Sequence, residues 1–413
     1  MYSNGVQGMP NKLSRSAVFS RFFLLFTTLI WYSMTVLLKA RCSANLLQSH
    51  AFAIDAAYFG AIVGSSLGGA VLTKRMRRNN LLFTWIILGV VTSFLPLVVC
   101  GTSWEVIALA FSFLGIGVGL GLPACLSFFI DRIRLEKRGH IGGLTFIVTS
   151  VVAVAVGPFF QGNDLAFCSA IFVGWRFLSL VVFYVSHRSD TPLRENSEKD
   201  SEQVVFASAL RVRTFTLYFT SWLVFSLIDT FESVIIRNSV EPDLFNLANN
   251  VNGVISAFSV FFAGILADRI GRKKIVISGF VALGVAYAIV GLVGFDVFWY
   301  LHSIIDGMAG GIFMIAFVLL IWGDLAPPQS RERYYAIGSI PFFASRIIGT
   351  PTTPYIVPLV GISTSFSLAA FFLFVAVLPL MFAPETLPQE KMEQRRLQEY
   401  LQKAKKAKEK YGN

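Results

Sequence analysis

Long apolar runs separated by short polar stretches recur from one end of the chain to the other. None of them alternates polar with apolar, and each is about 20 residues or longer, the length a helix needs to cross a bilayer. Only helices or closed barrels hide their backbone polar groups in lipid, so runs of this kind predict membrane-spanning helices. The pattern predicts twelve spans, at 17–38, 51–73, 81–100, 105–129, 142–160, 165–186, 214–236, 249–267, 275–294, 297–322, 336–358 and 360–383. The breaks between them fall on loop chemistry at Gly101-Thr102, Gln161-Gly162-Asn163-Asp164, Asn249-Asn250 and Pro327-Pro328. One long polar stretch, 187–213, separates six spans from six. The expected organisation is an all-α integral membrane protein: a six-helix bundle over 1–186, a cytoplasmic linker over 187–213, a second bundle over 214–383 and a basic tail over 384–413.

Composition agrees. Of 413 residues, 55% are hydrophobic and only 14% charged, against about 25% charged in soluble chains. This excludes a large soluble domain. The net charge of +11 could suggest a nucleic-acid partner, but its distribution assigns it to topology. Thirty of the 35 lysines and arginines fall in loops on one side of the twelve-span arrangement, and only Lys39, Arg41 and Arg237 on the other. The basic side is the cytoplasmic one. Both termini are therefore expected in the cytoplasm and the protein in the plasma membrane, with no nucleic acid as partner. Lys39-Ala40-Arg41 follows the first apolar run where a cleavage site would need small residues, so that run is read as a retained span. Cys42, Cys100, Cys125 and Cys168 are unclustered, and their spacing predicts neither a disulfide framework nor a metal site. Nothing in the chain calls for a cofactor.

The halves repeat. Gly264-Ile-Leu-Ala-Asp268-Arg269-Ile-Gly271-Arg272-Lys273-Lys274, between spans 8 and 9, aligns with Gly69-Ala-Val-Leu-Thr73-Lys74-Arg75-Met76-Arg77-Arg78, between spans 2 and 3. The same offset relates glycine-rich span 4, ending at Asp131 with Arg138 beyond, to span 10, ending at Asp324 with Arg331 and Arg333 beyond. Matching punctuation in two six-helix halves indicates a pair of repeated bundles.

On these residues the chain resembles the major facilitator superfamily of secondary transporters. The 8–9 loop is similar to that family's G-x-x-x-D-R-x-G-R-K-K signature, and the resemblance covers essentially the whole chain. Glu136-Lys137-Arg138-Gly139 and Pro384-Glu385-Thr386 resemble the sugar-porter and metabolite:proton symporter branches, and Asp190-Thr191-Pro192-Leu193-Arg194 is a degraded form of their motif after span 6. Gly157-Pro158 is similar to drug antiporters without their surrounding glycines. The resemblance implies a monomer with two pseudo-symmetric bundles that moves a small solute by alternating access, and a loop that latches the halves in one access state. The gating candidates are Gly264, Asp268, Arg269, Gly271, Arg272 and Lys273 with Gly69, Lys74, Arg77, Asp131 and Arg138. Asp268, at a helix end, is expected to meet Arg269, Arg272 or the positive start of span 11. In the N-terminal copy Thr73 stands where the carboxylate would be, and Asp131 is expected to substitute for it.

Charges at membrane depth are expensive and mark function by default. Arg176 (span 6), Asp229 and Glu232 (span 7), Asp306 (span 10) and Arg346 (span 11) stand out. At ~1.5 Å per residue, Asp229 lies about 10 Å and Asp306 about 13 Å from the outer end of their spans, and Arg346 about 15 Å from the inner end of its own. That is one layer near the midplane. Arg346 paired with Asp306 or Asp229, and released when that acid takes a proton, would be a proton-coupling device. Ser226 continues the face of Asp229. Gln161, Trp31 and Tyr32 complete the candidate substrate and proton-coupling residues, and Pro351 and Pro354 are expected to kink span 11 beside Arg346. Sugar sites need many amide and hydroxyl partners, which these spans lack. A small organic acid or zwitterion fits mid-membrane Arg346 better, with a drug or metabolite antiporter and a sugar porter as alternatives. A membrane enzyme or receptor lacks support, because the four histidines are scattered and no nucleophile motif or phosphate loop occurs.

Overall fold

In the computed structural model, which describes residues 15–131, 133–187, 206–239, 242–293 and 298–387, every apolar run is helical. For some helical residues, among them Gln161 and 350–358, only the backbone is described. Hydrocarbon offers a backbone N–H or C=O no partner, so each segment closes its hydrogen bonds on itself. Spans 1 and 2 are Arg15–Ser43 and Gln48–Leu72. Span 3 runs Arg78–Thr92 and resumes as Leu95–Val99, and span 4 runs Trp104–Gly119 and resumes as Leu122–Ile130. Spans 5 to 9 are Arg138–Gly162, Leu165–His187, Arg213–Ser239, Pro242–Ile270 and Arg272–Val293. Span 10 comprises Phe298–Phe313, a π-helical turn Met314–Leu320 and Ile321–Leu325. Spans 11 and 12 are Arg331–Val360 and Ile362–Phe382. Eleven of these are long and apolar enough to cross a membrane by length and composition, and span 11, with 30 residues, is the twelfth.

Spans 3, 4 and 8 depart from the sequence pattern. Spans 3 and 4 break where a proline enters the first turn of the resuming segment, Pro96 and Pro123, because proline has no N–H to donate. Asn249-Asn250 is no break: span 8 begins at Pro242, and both asparagines lie within it. Span 11 continues through Pro351, Pro354 and Pro358, whose side chains lie outside the description. Most of the central linker and the tail from residue 388 onward also lie outside it, apart from a short helix, Phe206–Arg211.

The packing repeats with the sequence. Span 2 packs on span 4 as 8 packs on 10, 3 on 6 as 9 on 12, 1 on 5 as 7 on 11, and 1 on 6 as 7 on 12. The seam between the halves obeys the same exchange, with span 5 against span 8 and span 2 against span 11. At the 5–8 crossing, Gly139 and Gly264 bring two backbones together; a Cβ on either glycine would run into the other's carbonyl oxygen. Span 2 approaches span 4 as closely at Gly69, against the Leu120 carbonyl.

On the face away from the basic loops, Cys42 at the end of span 1 and Cys100 after span 3 form a disulfide, with Cα atoms 5.0 Å apart. Their separation of 58 residues carries no signal of pairing; only the repeat packing brings the two helix ends together.

Candidate functional site

On the basic face, spans 3, 5, 9 and 11 each begin with an arginine: Arg78, Arg138, Arg272 and Arg331. A helix start carries partial positive charge and disfavours a cation there, so each must find an acid. Asp324, its side chain fully buried at the end of span 10, accepts from Arg138 of the opposite half at 2.7 Å and pairs with Arg272 of its own half at 2.9 Å. Asp131, at the end of span 4, pairs with Arg331 of the opposite half and Arg78 of its own. The two acids are repeat equivalents, and so are their partners. Each quartet has one further carboxylate. In the C-terminal one it is Asp268, which pairs with Arg272 at 3.2 Å and accepts the backbone N–H groups of Gly139 and His140 at 3.0 and 2.8 Å. In the other it is Glu332, 2.5 Å from Arg78. Each quartet therefore balances two guanidiniums with two carboxylates across the seam.

Several expectations change here. Asp268 meets Arg272 as expected, but the helix start it caps is that of span 5 rather than span 11, since spans 8 and 5 are the ones that cross. Asp131 does not replace the carboxylate lost at Thr73. It does the work of Asp324, and the acid that fills the gap, Glu332, comes from the opposite half. Lys74, Arg77 and Arg269 are exposed and make none of these pairs among the described residues. Lys273 lies beside the network, donating to the Met381 carbonyl at 2.9 Å. Gly271 has φ +106°, and the Glu385 carboxylate sits against it and accepts the Arg272 N–H at 2.8 Å. That left-handed turn suits glycine alone and lets the acid cap span 9.

At membrane depth, Arg346 stands on the seam. It lies over the Phe342 ring, 5.0 Å to the centroid, and within electrostatic reach of Asp229 on span 7 and of Tyr32 and Lys39 on span 1. Tyr32 packs edge-on against Phe343 of span 11, and Lys39 pairs with Asp55 of span 2. Asp306 accepts a hydrogen bond from Asn252 of span 8, and it senses Asp229. Although three residues from Asp229, Glu232 turns into the C-terminal bundle, where the Tyr287 hydroxyl donates to it and His302 Nε2 lies 3.1 Å away. His302 is thus not isolated, because span 10 delivers it to an acid of span 7. Ser226 is buried, one turn before Thr230, whose hydroxyl donates to Ser345 of span 11 at 3.0 Å.

Trp31 and Arg176 sit elsewhere, inside the N-terminal bundle. Arg176, on the middle of span 6 and 0% exposed, lies between the Trp31 and Trp85 rings at 4.4 and 4.3 Å and donates to Thr28 at 3.2 Å. Trp31 donates to Ser93 at 2.8 Å. The side chain of Gln161 lies outside the description. Among the described residues, no group of three or more His, Cys, Asp or Glu side chains could hold a metal ion.

Comparison with known proteins follows this geometry. Residues 214–408 match the family model of the Major Facilitator Superfamily. The E. coli fucose:proton symporter FucP covers 90% of this chain and 100% of its own at TM-score 0.72 and 14% identity. FucP in the outward conformation gives 0.71 and 13%, with the same coverage. The proton:xylose symporter XylE, bound to 6-bromo-6-deoxy-D-glucose, covers 91% of this chain and 97% of its own at 0.69 and 15%. No curated protein matches in sequence. Residues 214–408 thus match the model of the Major Facilitator Superfamily, and the chain as a whole is a multi-pass membrane protein with the fold of these transporters.

Proposed function

We propose that the chain is a proton-coupled secondary transporter that binds a small organic acid or zwitterion at Arg346 and carries the coupled proton on Asp229. The observation that carries this reading is the position of Arg346: on the seam, within reach of a carboxylate of its own half and of Tyr32 and Lys39 of the other. A guanidinium shared in this way binds an anionic substrate group only when its own acid is neutralised, so proton and substrate enter together. The groups around it are charges and rings rather than the amides a sugar needs.

The basic-face quartets hold the closed side. Occlusion from the opposite side loads the seam, the quartets part, and the solute leaves toward the basic face, which we take as the cytoplasm of a cell whose plasma membrane the protein spans as a monomer. The test is uptake into proteoliposomes with and without a proton gradient, against organic acids, zwitterions, sugars and cationic dyes. Gradient-driven accumulation of an acid or zwitterion, abolished in Asp229→Asn while solute exchange persists, is the expected result. Dye efflux that depends on Asp229 would replace this reading with an exporter.

A further inference from the structure

Between spans 7 and 12, away from the seam, lies a groove of about 410 Å³, within the ~300–1,000 Å³ of small-molecule sites. Its rim is Leu368 and Phe372 of span 12, 46% and 49% exposed, so it opens sideways toward lipid. Its polarity is graded along the membrane normal. Glu232, Tyr287 and Ser365 line the end near the face opposite the basic loops, since spans 7 and 9 end there and span 12 begins there. Val224, Leu227 and Ile228 line the deeper end. Eight residues of helix separate Val224 from Glu232, about 12 Å, the reach of a medium-length alkyl chain.

The charge at the polar end is one-sided. The partners of Glu232 are the Tyr287 hydroxyl and His302, and the ionisable groups it senses further off are Asp306 and Asp229, both acids. Arg346 acts on Asp229, on the seam side. A bare hydrocarbon chain in the groove would leave a carboxylate facing it; an ammonium group would supply donors and the missing charge.

We infer that this groove is a second binding site, separate from Arg346, for a single-chain amphiphilic amine entering from the leaflet opposite the basic loops. Its ammonium group sits on Glu232 and its chain lies along span 7 toward Val224.

The test is equilibrium binding of radiolabelled dodecylamine to the full-length protein in phosphatidylcholine nanodiscs. Saturable binding should be displaced by dodecyltrimethylammonium but not by dodecanol or dodecanoate. Glu232→Gln should weaken it about tenfold or more. Ala369→Trp, which fills the groove and leaves the carboxylate, should abolish it, and this variant decides the matter if Glu232→Gln does not fold. Asp229→Asn should leave binding in place. Dodecanol competing as well as the quaternary amine would make the groove a hydrocarbon site and overturn the inference. So would amine binding that survives Ala369→Trp, or amine binding lost in Asp229→Asn, which would put the amine on the seam.

Discussion

The two halves share a packing plan and an ion-pair quartet at the basic face, yet at membrane depth their charges differ. Inside the N-terminal bundle a buried cation, Arg176, is boxed by Trp31 and Trp85 with no carboxylate beside it among the described residues. Inside the C-terminal bundle and at its seam surface stand three acids, Asp229, Asp306 and Glu232, with Arg346 acting on the first. At the basic face the halves are alike: an acid at the end of span 4 or 10 takes the arginine that opens span 3 or 9 of its own half and the one that opens span 11 or 5 of the other. Symmetry is kept where the halves meet at the basic face and abandoned at membrane depth, so on the proposed reading coupling would fall to the C-terminal half.

The largest expected effect tests the shared part. Asp324→Asn leaves Arg138 and Arg272 buried without their common counter-ion, a loss of about 3–5 kcal/mol for a broken buried pair. The balance of access states should shift about a hundredfold toward an open basic face. Spin labels at Lys74→Cys and Arg269→Cys, exposed in opposite halves, should move apart, and an unchanged distance distribution would deny the quartets a gating role. Next come the third carboxylates. Asp268→Asn removes a charge that also caps span 5, and should slow transport about tenfold. Glu332→Gln, at the partly exposed Arg78, should cost only a few-fold. The reverse order would make the N-terminal quartet dominant.

These quartets were half legible in the chain. Asp268, Arg272, Asp131 and Arg138 follow from the repeated loop, because glycine and charge spacing survive in both copies. Glu332 and Arg78 do not, because their partnership exists only across the seam, some 250 residues apart in sequence. The span count and the two-bundle plan were readable because lipid imposes helices on any long apolar run. Which face of a span looks inward is not imposed in that way: Trp31 and Tyr32 are neighbours, yet one lies in the bundle core and the other on the seam. Glu232 and Asp229 diverge for the same reason, three residues apart on a helix that touches both the seam and the bundle interior.

Smaller effects sharpen the contrast. Arg176→Met exchanges an unbalanced buried cation for an apolar chain of similar length, so thermal unfolding should be unchanged or raised, within about 1 kcal/mol. Uptake falling with the fold intact would give the N-terminal interior a part in the chemistry. Thr73→Ala should be quieter still, within about 0.5 kcal/mol, because among the described residues that hydroxyl bonds only the Ala70 carbonyl of its own helix, at 2.9 Å.

The Cys42–Cys100 bridge fastens the tip of span 1 to the tip of span 3, so in the proposed rocking motion these two helices would travel as one arm. It also acts as a compass: thiols couple in oxidising surroundings such as the cell exterior, and a reductant that cannot cross the bilayer would reach this bond from one side only, reporting which way an inserted molecule points.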